Sequence, residues 1–190
     1  MLRNTLLGLF IYFAIGTTSL YAEWDEEFLQ TRFKEIDGGK IELGKLMSNS
    51  TVFIMLSTEC PLCKNYTLTI KKLMKAFPNY NWLGVFPGNF YSRKEIKTFF
   101  YTYDLKLRSV IDDEYVLSKE FEASITPEVF LTNENGEVLY TGAIDDWVLE
   151  LGKTRDVITM HYLRDALRQN QEGEMINISK TEAVGCKIQY

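Results

Sequence analysis

Two cysteines carry the chemistry of this 190-residue chain, in the run Cys60-Pro61-Leu62-Cys63 directly after the apolar, β-branched segment Thr51-Val52-Phe53-Ile54-Met55-Leu56. Thiols three positions apart at the end of a buried strand can close into a disulfide and reopen, which is redox chemistry. The competing use of such a pair is half of a structural zinc site. Zinc takes four ligands, usually a second Cys pair or a His pair. Besides Cys60 and Cys63 the chain holds only Cys186 and His161, in unrelated contexts and without ligand spacing. Redox exchange is the expected use, and neither a metal nor a cofactor is implied.

Pro61 suits the first turn of a helix, where its missing N–H costs nothing. Cys60 then stands at the helix N-terminus, whose unpaired N–H groups and dipole favour a thiolate. Cys60 is the expected attacking thiol, and Cys63, one turn inside and more buried, the expected resolving one. A partner is attacked, held as a mixed disulfide, and released by the second thiol. Glu59 should raise the Cys60 pKa, and Lys64 should oppose it from beyond Cys63. Three cysteines is an odd count, so at least one thiol is left free, transiently paired or joined to another molecule.

The elements that must hold this pair can be read from periodicity. Residues 31–36 and 37–43 form two short strands around Gly38-Gly39. Residues 51–57 read as a central strand covered on both faces. A helix runs from Pro61 through Tyr66, Leu68, Ile70, Leu73, Met74 and Phe77 and stops before Pro78; residues 81–86 form the next strand. Ser92 and Glu95 form a capping box for a helix reaching about Tyr103. A short strand at 108–111, a short helix at 114–122, a strand at 125–131 and a hairpin through Asn133-Glu134-Asn135-Gly136 follow. The last long helix is expected from Arg155 to Gln169, with His161 inside it. Strands alternating with helices imply an α/β fold, a mixed sheet with helices on both faces.

The first 22 residues differ from the rest. Arg3 is their one charge, Leu6 to Ile15 form an apolar core, and small residues follow up to Tyr21-Ala22. This reads as a removable secretory signal peptide. The apolar stretch is shorter than the roughly 20 residues of a spanning helix, so a retained anchor is the weaker reading and transient membrane contact before cleavage the expected one. Leu20 stands where a small residue is usual, which leaves the exact cut open. The remainder carries 20 Lys and Arg against 26 Asp and Glu. Nucleic acid is not an expected partner, because phosphate binding needs a concentrated positive footprint. Export to a periplasmic or extracellular space would put the cysteines in an oxidising compartment, where a close pair is either a staple or a working couple.

With that order in hand, residues 30–170 resemble the thioredoxin superfamily. The match rests on the strand Thr51–Leu56, on Cys60-x-x-Cys63 at the following helix, and on Thr126-Pro127 about 65 residues on. The resemblance implies a thioredoxin-like fold: a central mixed sheet flanked by helices, with an N-terminal β-hairpin and an extra strand and helix between Lys106 and Glu122. Those additions look like the exported redoxin branch, related to peroxiredoxins and membrane-associated thiol reductases. It further implies a cis bond before Pro127, Thr126 and Pro127 as the substrate groove, and protein thiols or disulfides plus an upstream redox partner as clients. The expected organisation is a signal peptide at 1–22, the domain at 23–172 and a tail at 173–190.

That tail is similar, over Thr181 to Ile188, to the ends of some bacterial redoxin-domain proteins, which would bring Cys186 back to the Cys60 region; a spare thiol on a loose tail is the alternative. Two departures from related patterns bear on activity. Thioredoxin has a buried acid six residues before its first cysteine, and here that position is Ile54, so a slower or more specialised reductant is expected. Ser57-x-x-Cys60 fits the peroxiredoxin hydroxyl spacing, yet the expected proline near Phe53 is missing and Thr126-Pro127-Glu128 stands where an arginine belongs. A peroxidase would lack its main electrostatic support. A copper chaperone of the Sco type, using His161, is a third reading, although that family spaces its cysteines more widely.

Overall fold

The computed structural model describes residues 24–47 and 49–190. The proposed leader at 1–22 lies outside them. In chain order the elements are α1 (Glu26–Leu29), β1 (Arg32–Glu35), β2 (Lys40–Glu42), a 3-10 turn (Leu43–Leu46), β3 (Thr51–Met55), α2 (Pro61–Ala76), β4 (Asn81–Pro87), α3 (Arg93–Thr102), β5 (Ser109–Asp112), α4 (Val116–Glu120), β6 (Ile125–Thr126), β7 (Glu128–Thr132), β8 (Val138–Gly142), β9 (Val148–Glu150), β10 (Lys153–Thr154), α5 (Tyr162–Gln171) and β11 (Cys186–Lys187). Among the described residues no helix is long and apolar enough to cross a membrane.

Seven strands form one mixed sheet in the order β2-β1-β5-β4-β3-β7-β8. The β3–β4 and β4–β5 pairs are parallel, joined across the sheet by α2 and α3, whereas β7, β8, β1 and β2 pair antiparallel with their neighbours. All five residues of β3 are buried. Successive strand side chains point to opposite faces, and β3 feeds two cores accordingly. Val52, Ile54 and Leu56 pack with Cys60, Cys63, Tyr66 and Ile70 of α2, with Ile96 and Phe99 of α3 and with Leu163 and Leu167 of α5. Phe53 and Met55 pack on the other face with Phe33, Leu43, Leu117, Phe121 and Phe130.

α2 is seated by its buried row Cys63, Tyr66, Thr67, Ile70 and Leu73, the spacing of a helix with one apolar face. Each fully buried Leu or Ile stabilises by roughly 1.5–3 kcal/mol relative to exposure. That row fixes the height of the Cys60–Cys63 turn above the sheet. The capping box of α3 forms in both directions, with Ser92 accepting from Glu95 N–H and Glu95 accepting from Ser92 N–H.

The last helix departs from the sequence expectation. It starts at Tyr162 rather than Arg155, and His161 is its N-cap instead of an interior residue. The apolar spacing of Val157 and Ile158 suits a helix, but Asp146 captures this stretch first. Its carboxylate accepts the Thr159 and Met160 N–H groups and the Thr159 hydroxyl, and pairs with Arg155 at 3.2 Å. These bonds depress the Asp146 pKa to about 2, the Thr159 hydroxyl contributing most. Val157 is left exposed. The small β9–β10 hairpin, also absent from the sequence reading, precedes this loop.

Candidate active site

Ser57 builds the turn between β3 and α2. Its hydroxyl accepts the Cys60 N–H at 3.2 Å and the Glu59 N–H at 3.3 Å, and it shares a 2.8 Å bond with the Tyr91 hydroxyl. Cys60 is thereby placed as the N-cap of α2, with Pro61 immediately inside. Beside this turn, β6 and β7 meet at the cis Thr126–Pro127 bond. The Thr126 carbonyl oxygen lies 3.1 Å from Cys60 Sγ. The two cysteines and the Thr126-Pro127 pair thus converge from segments over 60 residues apart.

The third cysteine is here as well. β11 pairs antiparallel with β6 in the register Cys186↔Thr126 and Lys187↔Ile125, and Cys186 Sγ lies 2.7 Å from Cys60 Sγ. That distance lies between a covalent disulfide, about 2.05 Å, and ordinary non-bonded contact, and all three cysteines are free thiols. It is also too close for two sulfurs sharing a zinc ion: Zn–S bonds of about 2.3 Å at a tetrahedral angle hold them about 3.8 Å apart. Among the described residues no group of three or more His, Cys, Asp or Glu is arranged to hold a metal. His161, at the start of α5, is not among the residues lining the cavity beside Cys60.

The three thiols are electrostatically unequal. The Cys60 pKa is lowered from 9.0 to about 4, chiefly by the hydrogen bond from the Cys63 thiol; burial opposes the shift and the Cys186 thiol adds to it. Cys63, wholly buried, is pushed up by desolvation and by donating to Cys60. Cys186 is raised to about 11 by burial and by its bond to Cys60. Cys60 therefore holds the negative charge, stabilised by two protonated neighbours. The Thr126 carbonyl accepts from the neutral thiol but turns its lone pairs on the thiolate, so the two thiol donors outweigh it. Glu59 and Lys64, expected to pull the Cys60 pKa in opposite directions, are not among the largest causes of the shift. Around Cys63, the Ser57 N–H donates to Sγ at 3.4 Å and the Thr126 side chain gives a further hydrogen bond.

Both helix cysteines are nearly out of solvent: Cys60 is 1% exposed and Cys63, one turn further in, 0%. The cover of Cys60 is the tail, which Gly185, Cys186 and the residues beyond lay along β6. The cavity remaining beside Cys60 has a volume of about 290 Å³, with Ser57, Glu59 and Tyr91 on one side and Cys186 to Gln189 on the other. Among its described lining residues Lys187 is the one cation. The Ser57 hydroxyl, which a peroxidase would turn toward peroxide, is already occupied by two N–H groups and Tyr91. Ile54 is fully buried in the cluster that contains both cysteines, so β3 offers no acid at that position.

No protein-family model matches the chain, and no curated protein does. Solved structures do. An uncharacterized conserved protein from Geobacillus kaustophilus aligns with a TM-score of 0.74 at 18% identity, over 85% of this chain and 90% of that one. A hypothetical protein from Sinorhizobium meliloti 1021 aligns at 0.73 and 18%, over 84% and 90%. A secreted disulfide oxidoreductase of Mycobacterium tuberculosis, described as homologous to DsbE of E. coli, aligns at 0.52 and 17%, over 60% and 84%. At these identities the likeness is one of fold.

Proposed function

We propose that this chain, whose fold is thioredoxin-like, is an exported thiol-disulfide oxidoreductase that exchanges disulfides with protein partners through Cys60 and Cys63. The observation that carries this reading is the placement of Cys60 as the N-cap of α2, 3.1 Å from the Thr126 carbonyl oxygen of the cis Thr126–Pro127 pair, with a second thiol three residues further on. A nucleophile and its resolving group are in contact before any client arrives. Support for export comes from the leader-like segment at 1–22 and from the likeness to a structure described as secreted.

The Cys60 thiolate attacks one sulfur of a client disulfide, and the other client sulfur leaves as a thiolate and takes up a proton. Cys63 then gives up its proton, attacks Cys60 Sγ, and releases the client thiol as the Cys60–Cys63 disulfide forms. An upstream dithiol reduces that last bond by two exchanges and is itself left as a disulfide. Thr126 and Pro127 supply the edge against which the client chain lies, with the backbone of β6, which β11 pairs with in the resting chain, as its pairing partner. Burial raises the Cys63 pKa and Ile54 provides no base beside it, so this deprotonation is held back. The test is insulin reduction with dithiothreitol as electron source: the wild type should accelerate precipitation over dithiothreitol alone, and Cys60→Ser should not. A wild-type rate equal to dithiothreitol alone would overturn the reading.

A further inference from the structure

The tail that covers Cys60 is held at many points. The Thr181 hydroxyl shares a 2.7 Å bond with the Tyr140 hydroxyl and accepts the Ala143 N–H at 2.9 Å. Thr141 N–H donates to Ser179 O, and Thr181 N–H donates back to Thr141 O, each at 2.9 Å. Past Cys186, Ile188 N–H donates to Ser124 O at 2.9 Å and the Tyr115 hydroxyl donates to Gln189 O at 2.8 Å. The Tyr190 hydroxyl closes the run by donating to the Ser118 and Ala123 carbonyls. Two glycines make the path passable. A Cβ on Gly142, whose φ is +129°, would stand 2.1 Å from Thr181 O, and a Cβ on Gly185 would stand 2.2 Å from Thr126 O. Both collisions are with backbone, so neither position accepts a side chain while the tail is seated.

The occupied edge is the one assigned to clients in the proposed function. The tail pairs with β6 as an antiparallel strand, places a cysteine opposite Thr126, and brings that sulfur to Cys60 Sγ. We propose that residues 181–190 are a built-in client: Cys186 takes the place of a client sulfur, and a Cys60–Cys186 disulfide is the chain's own mixed disulfide, opened by Cys63. This rests on the Cys60–Cys63 exchange proposed above. With a small disulfide as oxidant, the Cys60 thiolate attacks one of its sulfurs and expels the other as a thiolate. Cys186 loses its proton and displaces the bound half as a second thiol, closing Cys60–Cys186. Cys63, deprotonated, then attacks Cys60 Sγ, forming Cys60–Cys63 and freeing Cys186, which is reprotonated. Two electrons leave the protein in all, and the last step only moves the disulfide. A protein client must lift the tail off β6, where it is seated with Cys186 as a free thiol.

The usual client trap, Cys63→Ser, should therefore trap itself. Full-length Cys63→Ser is reduced, treated with oxidised glutathione, quenched in acid and mapped by mass spectrometry. The expected product is a monomer in which Cys60–Cys186 exceeds the Cys60–glutathione adduct by more than about tenfold, because a thiol held in contact outcompetes one from solution. A persistent glutathione adduct on Cys60 beside a free Cys186 overturns the proposal. Adding Gly185→Val should break the β6–β11 register and shift the product toward the adduct; an unchanged Cys60–Cys186 yield would mean that strand pairing does not deliver Cys186, which also overturns it. Insulin separates this idea from the oxidoreductase reading. Cys63→Ser/Cys186→Ser should capture insulin as a mixed disulfide, and Cys63→Ser should not. Equal capture by both variants overturns the built-in client. Capture by neither, with no insulin reduction by the wild type, overturns the oxidoreductase reading, while the glutathione map still decides the Cys60–Cys186 bond.

Discussion

Cys60 has two thiol neighbours, supplied by two very different parts of the molecule. Cys63 comes from the same helix, three residues on, and its position is set by the buried row that seats α2. Cys186 comes from 126 residues away and arrives on a two-residue strand held by side-chain and backbone bonds along the tail. The first arrangement is local and rigid, and moving it means unseating a core helix. The second depends on a short ladder that can open while the core stays intact. A thiol fixed in place suits the step repeated in every cycle, and a thiol that can be withdrawn suits control of access.

The largest effects should follow from breaking each side at the sulfur. Cys63→Ala removes the chief cause of the lowered Cys60 pKa, and Cys186→Ala removes a lesser one. Both variants should move the Cys60 pKa up from about 4 toward 9.0, Cys63→Ala further, as read from the pH dependence of iodoacetamide alkylation at Cys60. Equal shifts would mean that the two thiols support the charge alike. Cys186→Ala should also alkylate faster at pH 8, since its cover is loosened.

Thermal stability of the reduced protein gives a second comparison. A thiol whose folded pKa is depressed stabilises fully above its unfolded pKa, and that stabilisation is lost as pH falls toward the folded pKa. The stability difference between wild type and Cys60→Ser should therefore grow with pH across the interval from about 4 to 9. Cys186 has the opposite sign: raised to about 11, it stabilises below pH 9, and this is lost as pH rises toward 11. A Cys60→Ser difference that is flat over the lower interval would contradict the assignment of the charge to Cys60.

Matched hydroxyl deletions sharpen the contrast further. Tyr66 of α2 donates to Asp145 at 2.7 Å, and Asp145 is buried with its second carboxylate oxygen unpartnered among the described residues. Tyr66→Phe deprives a buried carboxylate and should cost about 1–3 kcal/mol in denaturant unfolding. Tyr190→Phe removes two bonds at the chain end and should cost about 0.5–1.5 kcal/mol or less, while raising the alkylation rate of Cys60. If Tyr190→Phe leaves that rate unchanged, the end of the tail does not govern access.

The same contrast explains what could be read beforehand. The β3 run, Pro61 at the first turn, the α3 capping box and the Thr126-Pro127 pair are local signals, and each lies where its residue types put it. Helix α5 was legible only in its second half, because the bonds of Asp146 to Thr159 and Met160 are tertiary and outweigh the spacing of Val157 and Ile158. The seat of Cys186 had no signature in periodicity, and only the likeness of Thr181 to Ile188 to other redoxin tails pointed to it. A two-residue strand shows no alternation, and Gly185 could have been noticed only once Thr126 was known to lie against it. The thiol neighbours that lower the Cys60 pKa include one 126 residues away, which no local reading of Glu59 and Lys64 could supply.

The most direct test of the account is thiolate ultraviolet absorbance of the reduced protein as a function of pH, with Cys60→Ser as the reference. The account predicts one thiolate in the wild type that titrates near pH 4 and is missing from Cys60→Ser, with the other two thiols staying protonated through neutral pH. A wild type showing no thiolate until the pH approaches 9 would contradict it.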